Sequence, residues 1–220
     1  MNFFAKYTGK FLDFFCSFAP YYLVAVLLLA VADRLVFYAL NKKYFQTTKT
    51  KAQMDAVLEK EKPNSMEDLI RLLGLYNYPL LGGPLNLLSE AVLSIGLVGI
   101  FQDPARWLSL EEFGFEQIVF HLTDRPIQLL QSGAVDANVV VAFVLVALAA
   151  AAFIAVDLIM DKASVFSTEY NKLIWLVFVV TALFFPLGYT WYWLCIRIAD
   201  LFLIYTAKPT TLKPIGTKKR

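Results

Sequence analysis

The most constraining feature of this 220-residue sequence is a set of apolar stretches long enough to cross a lipid bilayer. A spanning helix needs about 20 mostly apolar residues, because the hydrocarbon layer is about 30 Å thick and each helical residue rises about 1.5 Å. Hydrophobic residues make up 59% of the chain and charged residues 17%, and a soluble fold of this size cannot bury so large an apolar share. The sequence therefore predicts an all-α, polytopic membrane protein.

Four apolar regions contain the predicted spans, and the last region is too long for one crossing. Its centre carries Pro186 and Gly188. Proline removes a backbone donor and ends a helix, and glycine eases the reversal of the chain. We therefore divide this region into two spans and predict five transmembrane helices. The predicted spans cover residues 20–41, 84–102, 138–160, 167–185 and 187–206.

Lysine and arginine residues predict the orientation of the spans, because cytoplasmic loops carry an excess of both. Of the 20 basic residues, 14 lie in or beside the predicted connections 42–83 and 161–166 and the tail 207–220. Only four lie in residues 1–19 and in the predicted outer loop 103–137. The N-terminus is therefore predicted outside the membrane and the C-terminus in the cytoplasm.

The two outer segments are rich in aromatic residues. In residues 1–19 phenylalanine and tyrosine recur at roughly helical spacing, with Lys6, Lys10 and Asp13 between them. This pattern is typical of an amphipathic helix that lies in the membrane interface. The loop 103–137 also combines aromatic and acidic residues, and it is predicted to rest on the lipid headgroups.

The segment 42–83 is predicted to be a basic cytoplasmic helical hairpin. Its first arm lacks proline and glycine, and Ser65 followed by Asp68 indicates the N-terminal cap of the second arm. A solvated linker is the alternative interpretation. Clustered basic residues attract anionic headgroups and ribosomal RNA. The residues predicted to contact the ribosome or lipid are Lys49, Lys51, Lys60, Lys62, Lys218, Lys219 and Arg220.

Ionisable residues inside the predicted spans are functional candidates, because charges are costly in lipid. Counting the helical rise from the cytoplasmic ends places all of them in the cytoplasmic half or near the midplane. This distribution predicts a wet, polar cavity that opens to the cytoplasm and is closed towards the outside. Arg34 and Glu90 come from different spans at matching depth and are predicted to share it. The candidates are Asp33, Arg34, Glu90, Asp157, Arg197 and Asp200.

Simpler explanations exist for several of these charges. Asp33 adjoins Arg34 and has it as a ready partner, and Arg197 with Asp200 forms an i, i+3 pair on one helical face. Asp157 lies near the inner interface, where snorkelling to the headgroups explains it.

The sequence contains no pattern that indicates catalysis. It has no Cys/His metal spacing, no phosphate-binding Gly-rich loop and no Ser/His/Asp set that converges. Gly82-Gly83 precedes a helix but lacks the lysine and the strand of a nucleotide site. We therefore expect neither an enzyme nor a cofactor.

Three stretches, in this order, resemble the YidC/Alb/Oxa family of membrane-protein insertases. Residues 33–40, followed by a basic hairpin, resemble the first core span of the family, and Arg34 falls on its groove arginine. Residues 76–88 resemble the Asn-Pro-Leu-Gly-Gly entry to the next span, and residues 185–193 resemble a Phe-Pro-x-Gly-x-x-x-Tyr-Trp turn into the last span. The resemblance covers most of the chain and implies structural turns at Gly82, Gly83, Pro186 and Gly188.

The resemblance implies a passive insertase or chaperone in the plasma membrane, the inner membrane of a bacterium. A hydrophilic groove takes the polar outer part of a short nascent segment, and the apolar part leaves sideways into lipid. The implied partners are nascent membrane proteins, the ribosome, a translocon as a further candidate, and the lipid bilayer. The implied groove residues are Arg34, Glu90, Arg197, Asp200 and Asp33.

Two charged substitutions keep other functions open. The family has neutral polar residues where Glu90 and Arg197 align, and an acidic groove repels acidic client tails unless its carboxyl groups are protonated or internally paired. Internal ion pairing locks such a groove shut, which favours a divergent structural subunit of a larger membrane complex. A transporter or channel is the third candidate, suggested by the intramembrane carboxylates.

Overall fold

The structure is a computed structural model that describes residues 2–19, 21–40, 42–78, 82–109, 121–133, 137–163, 171–208 and 211–214. In these residues all the regular secondary structure is helical. The helices are α1 (Asn2–Cys16), α2 (Tyr22–Leu40), α3 (Lys42–Glu61), α4 (Met66–Leu75), α5 (Gly82–Gln102), α6 (Pro104–Trp107), α7 (Pro126–Gln131), α8 (Ala137–Ala163), α9 (Asn171–Phe184) and α10 (Leu187–Thr206).

Among the described residues, three helices are long and apolar enough to cross a membrane. They contain Tyr22–Ala39 in α2, Ala137–Met160 in α8 and Leu187–Thr206 in α10. Shorter apolar stretches lie at Glu90–Gln102 in α5 and Trp175–Phe184 in α9, where the second and fourth spans are predicted. The all-helical class is confirmed, and the count of five spans stays a prediction.

Helix α10 lies at the centre of the bundle. It packs against α2, α5 and α8, and most of its residues are buried. Its neighbours instead expose apolar stripes, such as Val140, Val144 and Leu148 along α8. Exposed apolar stripes around a buried central helix are the arrangement expected when the outer surface faces lipid.

The predicted N-terminal amphipathic helix is observed as α1. Its inner face buries Ala5 and Leu12 against α5 and α2, whereas Phe3, Phe11 and Phe14 are exposed. The Tyr22 hydroxyl donates to Asp13 Oδ1 at 2.7 Å, and the Ser109 hydroxyl donates to Asp13 Oδ2 at 3.1 Å. The location of α1 in the membrane interface stays a prediction.

The predicted hairpin is observed as the two helices α3 and α4. The Ser65 hydroxyl accepts from the Asp68 amide at 3.1 Å, as the capping pattern predicts. Helix α5 begins at Gly82, so Gly82 and Gly83 form its first turn and not a turn before it. This first turn tolerates Pro84 because its amide groups have no partner within the helix.

Pro186 separates α9 from α10, as predicted, but Gly188 is part of α10 and not of the turn. A Cβ atom at Gly188 would lie 2.3 Å from the Phe101 ring, so glycine allows α5 and α10 to approach closely. The Gly188 amide donates to the Leu122 carbonyl at 2.8 Å, and this bond supplies a partner at the N-terminus of α10.

Candidate functional site

Four buried charged side chains from three helices form one connected cluster, here called the charged ring. It consists of Arg34 from α2, Glu90 from α5, and Arg197 and Asp200 from α10. Arg197 and Asp200 are three residues apart, so both point to the same side of α10. The ring therefore depends on how three separate helices pack, and α10 contributes half of it.

Positive and negative groups alternate around the ring. Arg34 Nη1 lies 3.1 Å from Glu90 Oε1 and 3.4 Å from Asp200 Oδ1. Arg197 Nη2 lies 2.6 Å from Glu90 Oε2, and Arg197 Nη1 lies 2.9 Å from Asp200 Oδ2. Each carboxylate therefore bridges both guanidinium groups, and the formal charges of the four members cancel.

Asp33 lies at the edge of the ring. Its Oδ2 atom accepts hydrogen bonds from Nε and Nη2 of Arg34. Its side chain is 11% exposed, more than that of any ring member. The pairing of Asp33 with Arg34 that the sequence suggests is confirmed, and Asp33 gives the whole site a formal charge of −1.

The structure brings together all five predicted groove residues, but the ring members do not line an open cavity. Their exposed fractions are 1% for Arg34, 0% for Glu90, 4% for Arg197 and 1% for Asp200. The expectation of a wet cavity around Arg34 is therefore wrong for this conformation. The physical reason is internal pairing, since each buried charge faces opposite charges in the place of water.

Aromatic rings lie close to both guanidinium groups. The Arg34 Cζ atom lies 5.4 Å from the centre of the Phe37 ring. The Arg197 Cζ atom lies 4.8 Å from the ring centres of both Phe153 and Trp193. Cation–π attraction adds to the ion pairs when the charge is desolvated. The sequence analysis did not identify these aromatic residues, since they belong to apolar runs with no distinguishing pattern.

A second aromatic cluster lies beside the ring at the start of α3. The Phe37 ring centre lies 5.9 Å from those of Tyr44 and Phe45, and Phe45 is fully buried. Burial raises the pKa of Tyr44 above its ordinary value, and the negative charge of Asp200 raises this pKa further. The Tyr44 phenol, in the first turn of α3, is therefore close enough to the charged ring to be affected by the charge of Asp200.

Four buried polar atoms on α5 and α10 have no hydrogen-bond partner among the described residues, although Glu90 Oε1 belongs to the ion pair with Arg34. They are Glu90 Oε1, Thr190 Oγ1, Tyr192 Oη and Arg197 Nε. An unmade hydrogen bond of a buried polar group costs about 1–3 kcal/mol. Polar groups that enter this part of the bundle therefore have bonding positions available to them on α5 and α10.

The basic residues predicted to contact the ribosome or lipid lie in different surroundings. The Lys49 ammonium donates to the Tyr205 carbonyl at 2.8 Å and to the Ala207 carbonyl, so it binds the end of α10. Lys51 lies 2.6 Å from Asp55 on the same helix. Lys60 and Lys62 are exposed, and their contact with the ribosome or lipid stays a prediction. Lys218, Lys219 and Arg220 lie outside the described residues.

Asp157, the remaining candidate from the sequence, has a partner on a neighbouring helix. The Trp175 indole donates to Asp157 Oδ2 at 2.6 Å, which gives Asp157 a partner on α9 in addition to any headgroup. In the described part of the chain, no group of three or more His, Cys, Asp or Glu residues is arranged to hold a metal ion.

Comparison with known proteins returned no match. No family model, no curated protein and no solved structure matches this chain.

Proposed function

We propose that this chain is a membrane-protein insertase or membrane chaperone with five spans in the plasma membrane, its N-terminus outside and its C-terminus in the cytoplasm. The observation that carries the proposal is the convergence of charged groups from α2, α5 and α10 at one place in a bundle of apolar helices. A polar segment that enters the membrane meets the lowest dehydration penalty at such a place, because charged and polar groups substitute for water there.

In this proposal the ring is closed when no client is bound. A nascent segment approaches from the side of α3, and its polar groups exchange with partners of Arg34, the member bonded to Asp33 at the edge. The apolar part of the client then leaves between helices into lipid. When the client has left, the ring closes again, and its balanced charges leave no hydrated path for ions.

A structural subunit of a larger membrane complex is the second candidate function. It is favoured by the complete pairing of the ring, which fastens α2 and α5 to α10 by ion pairs. A chain in this role needs no client exchange and copurifies with fixed partners in constant proportion.

Reconstitution with a short single-span client tests the proposal. We expect the protein to insert the client into vesicles well above the level of empty vesicles. The double variant Arg34→Gln/Glu90→Gln removes one charge of each sign, and it leaves Arg197 paired with Asp200. Because the exchangeable partners are lost, we expect its insertion rate to fall about tenfold or more, corresponding to about 1.4 kcal/mol or more.

The matched control is Glu59→Gln, which changes an exposed charge far along α3 and is expected to insert at the unaltered rate. Insertion at the level of empty vesicles by the unaltered protein contradicts the insertase proposal. A stable stoichiometric complex recovered together with that result supports the structural subunit.

A further inference from the structure

We infer that the site selects clients by charge: it takes polar segments that are neutral or carry a lysine, an arginine or a free amino terminus, and it rejects acidic ones. This inference rests on the proposed function and names the class of segment that the ring admits.

The charge of the site is the first reason. Two guanidinium groups face three carboxylates, so the site with Asp33 has a formal charge of −1. The excess negative charge is on the most exposed of these side chains. A segment that reaches the ring therefore meets the Asp33 carboxylate before it meets the buried guanidinium groups of Arg34 and Arg197.

The second reason is that the guanidinium groups are already occupied. Arg34 binds Asp33, Glu90 and Asp200, and Arg197 binds Glu90 and Asp200 while it is enclosed by two aromatic rings. A client carboxylate that binds the Nη atoms of either arginine has to displace one of these internal carboxylates. Exchange of one anion for another leaves the displaced group buried beside like charge, which is unfavourable in a low-dielectric interior.

The third reason is that a carboxylate oxygen is available to a cation. Both hydrogen bonds from Arg34 to Asp33 use Oδ2, and no described residue bonds to Oδ1. Glu90 offers no such position, because it is fully buried and its Oε1 atom lies 3.1 Å from Arg34 Nη1. An ammonium or guanidinium group of a client thus binds at Asp33 without disturbing any ion pair of the ring.

The test uses one single-span client with one variable residue in its translocated tail, which is lysine, glutamine or glutamate. Insertion is measured in vesicles of zwitterionic lipid without a membrane potential, so that neither lipid charge nor voltage favours one tail. We expect the lysine and glutamine tails to insert at similar rates and the glutamate tail to insert about tenfold more slowly or worse, because like charges in contact at a desolvated site repel strongly.

A variant of Asp33 identifies the residue responsible. We expect Asp33→Asn to reduce the disadvantage of the glutamate tail to less than about threefold, since removal of the edge charge makes the site neutral. Asp55→Asn removes an exposed acid on α3 and is expected to leave the preference unchanged. Thermal unfolding of both variants in detergent checks that they fold, and the ring itself is unaltered in each.

The outcomes separate the inference from the proposed function. Equal insertion of all three tails, or faster insertion of the glutamate tail, overturns the charge preference and leaves the insertase proposal standing. An unchanged preference in Asp33→Asn overturns the assignment to this residue. Failure to insert even the glutamine tail overturns the proposed function and the inference with it.

Discussion

Arg34 and Arg197 pair with the same two carboxylates but lie in different surroundings. Arg197 is enclosed by Phe153 and Trp193, and both of its partners are buried. Arg34 has the additional partner Asp33 at the edge of the ring and faces one aromatic ring, Phe37. Arg197 is therefore suited to hold α5 against α10. In the proposed function, Arg34 is the member whose partners a client segment reaches first.

Two glycine positions give a matched prediction at the residue scale. We expect Gly188→Ala to destabilise the protein by about 1–3 kcal/mol, because the new methyl group overlaps the Phe101 ring. Gly74 lies in helix α4 with nothing within 4 Å of an added Cβ, so we expect Gly74→Ala to stabilise it by about 0.5–1 kcal/mol. Thermal unfolding in detergent measures the stability of both variants. Equal effects of the two substitutions contradict the close packing of Gly188 against Phe101.

Part of the site was predictable from the residues themselves. The pairs Asp33–Arg34 and Arg197–Asp200 follow from sequence spacing alone, and matching depth brings Arg34 and Glu90 together. The closure of the ring was not predictable. α2, α5 and α10 are apolar almost all round, so the sequence pattern does not indicate which face of each helix turns inward.

At the scale of elements, the chain after α10 binds the hairpin. Gln46 donates to the Lys208 carbonyl at 2.9 Å, and Gln53 Oε1 accepts from the Leu212 amide at 2.9 Å. Lys49 binds carbonyls in the last turn of α10 and just beyond it, where a positive charge also interacts favourably with the helix dipole. Through these bonds α3 is fastened to the helix that carries half of the ring.

We expect Lys49→Met to loosen this attachment, because methionine keeps the apolar stem and removes the ammonium donor. Charge-assisted bonds at a partly exposed site contribute about 1 kcal/mol, which corresponds to roughly fivefold faster amide hydrogen exchange around Ala207 and Leu212. Lys60→Met, which changes an exposed lysine, serves as the control and is expected to leave exchange there unchanged. Identical exchange in the two variants contradicts the attachment.

The sequence predicted the existence of the elements better than the details of their ends. Pro186 and the Ser65 cap act as predicted, since both follow from local backbone chemistry. Gly82 and Gly188 were assigned to turns, but both are helical. For Gly188 the requirement for glycine comes from Phe101 on another helix, and a local pattern contains no information on such a contact.

At the scale of the whole molecule, the predicted topology places α3 and α7 on opposite sides of the membrane. Single cysteines at Ala52 on α3 and Gln131 on α7, both exposed positions, are expected to react with an impermeant thiol reagent from opposite sides. The native Cys16 and Cys195 are buried, and burial with the charge of Asp13 raises the pKa of Cys16 to about 12, so its background reaction is low. Labelling of both positions from one side contradicts the topology.

The account as a whole depends on the charged ring as a connected unit that joins α2, α5 and α10. Glu90→Gln and Arg197→Gln each leave an opposite charge buried with fewer partners, and we expect each to destabilise the protein by about 3–5 kcal/mol. The double variant removes both charges and leaves Arg34 paired with Asp200.

Equilibrium unfolding of this double-mutant cycle in detergent is the most direct test of the ring. The account predicts that the double variant loses at least about 1–2 kcal/mol less than the sum of the two single losses, as groups in contact do. Single losses that simply add would show that Glu90 and Arg197 do not interact, and they would contradict the ring.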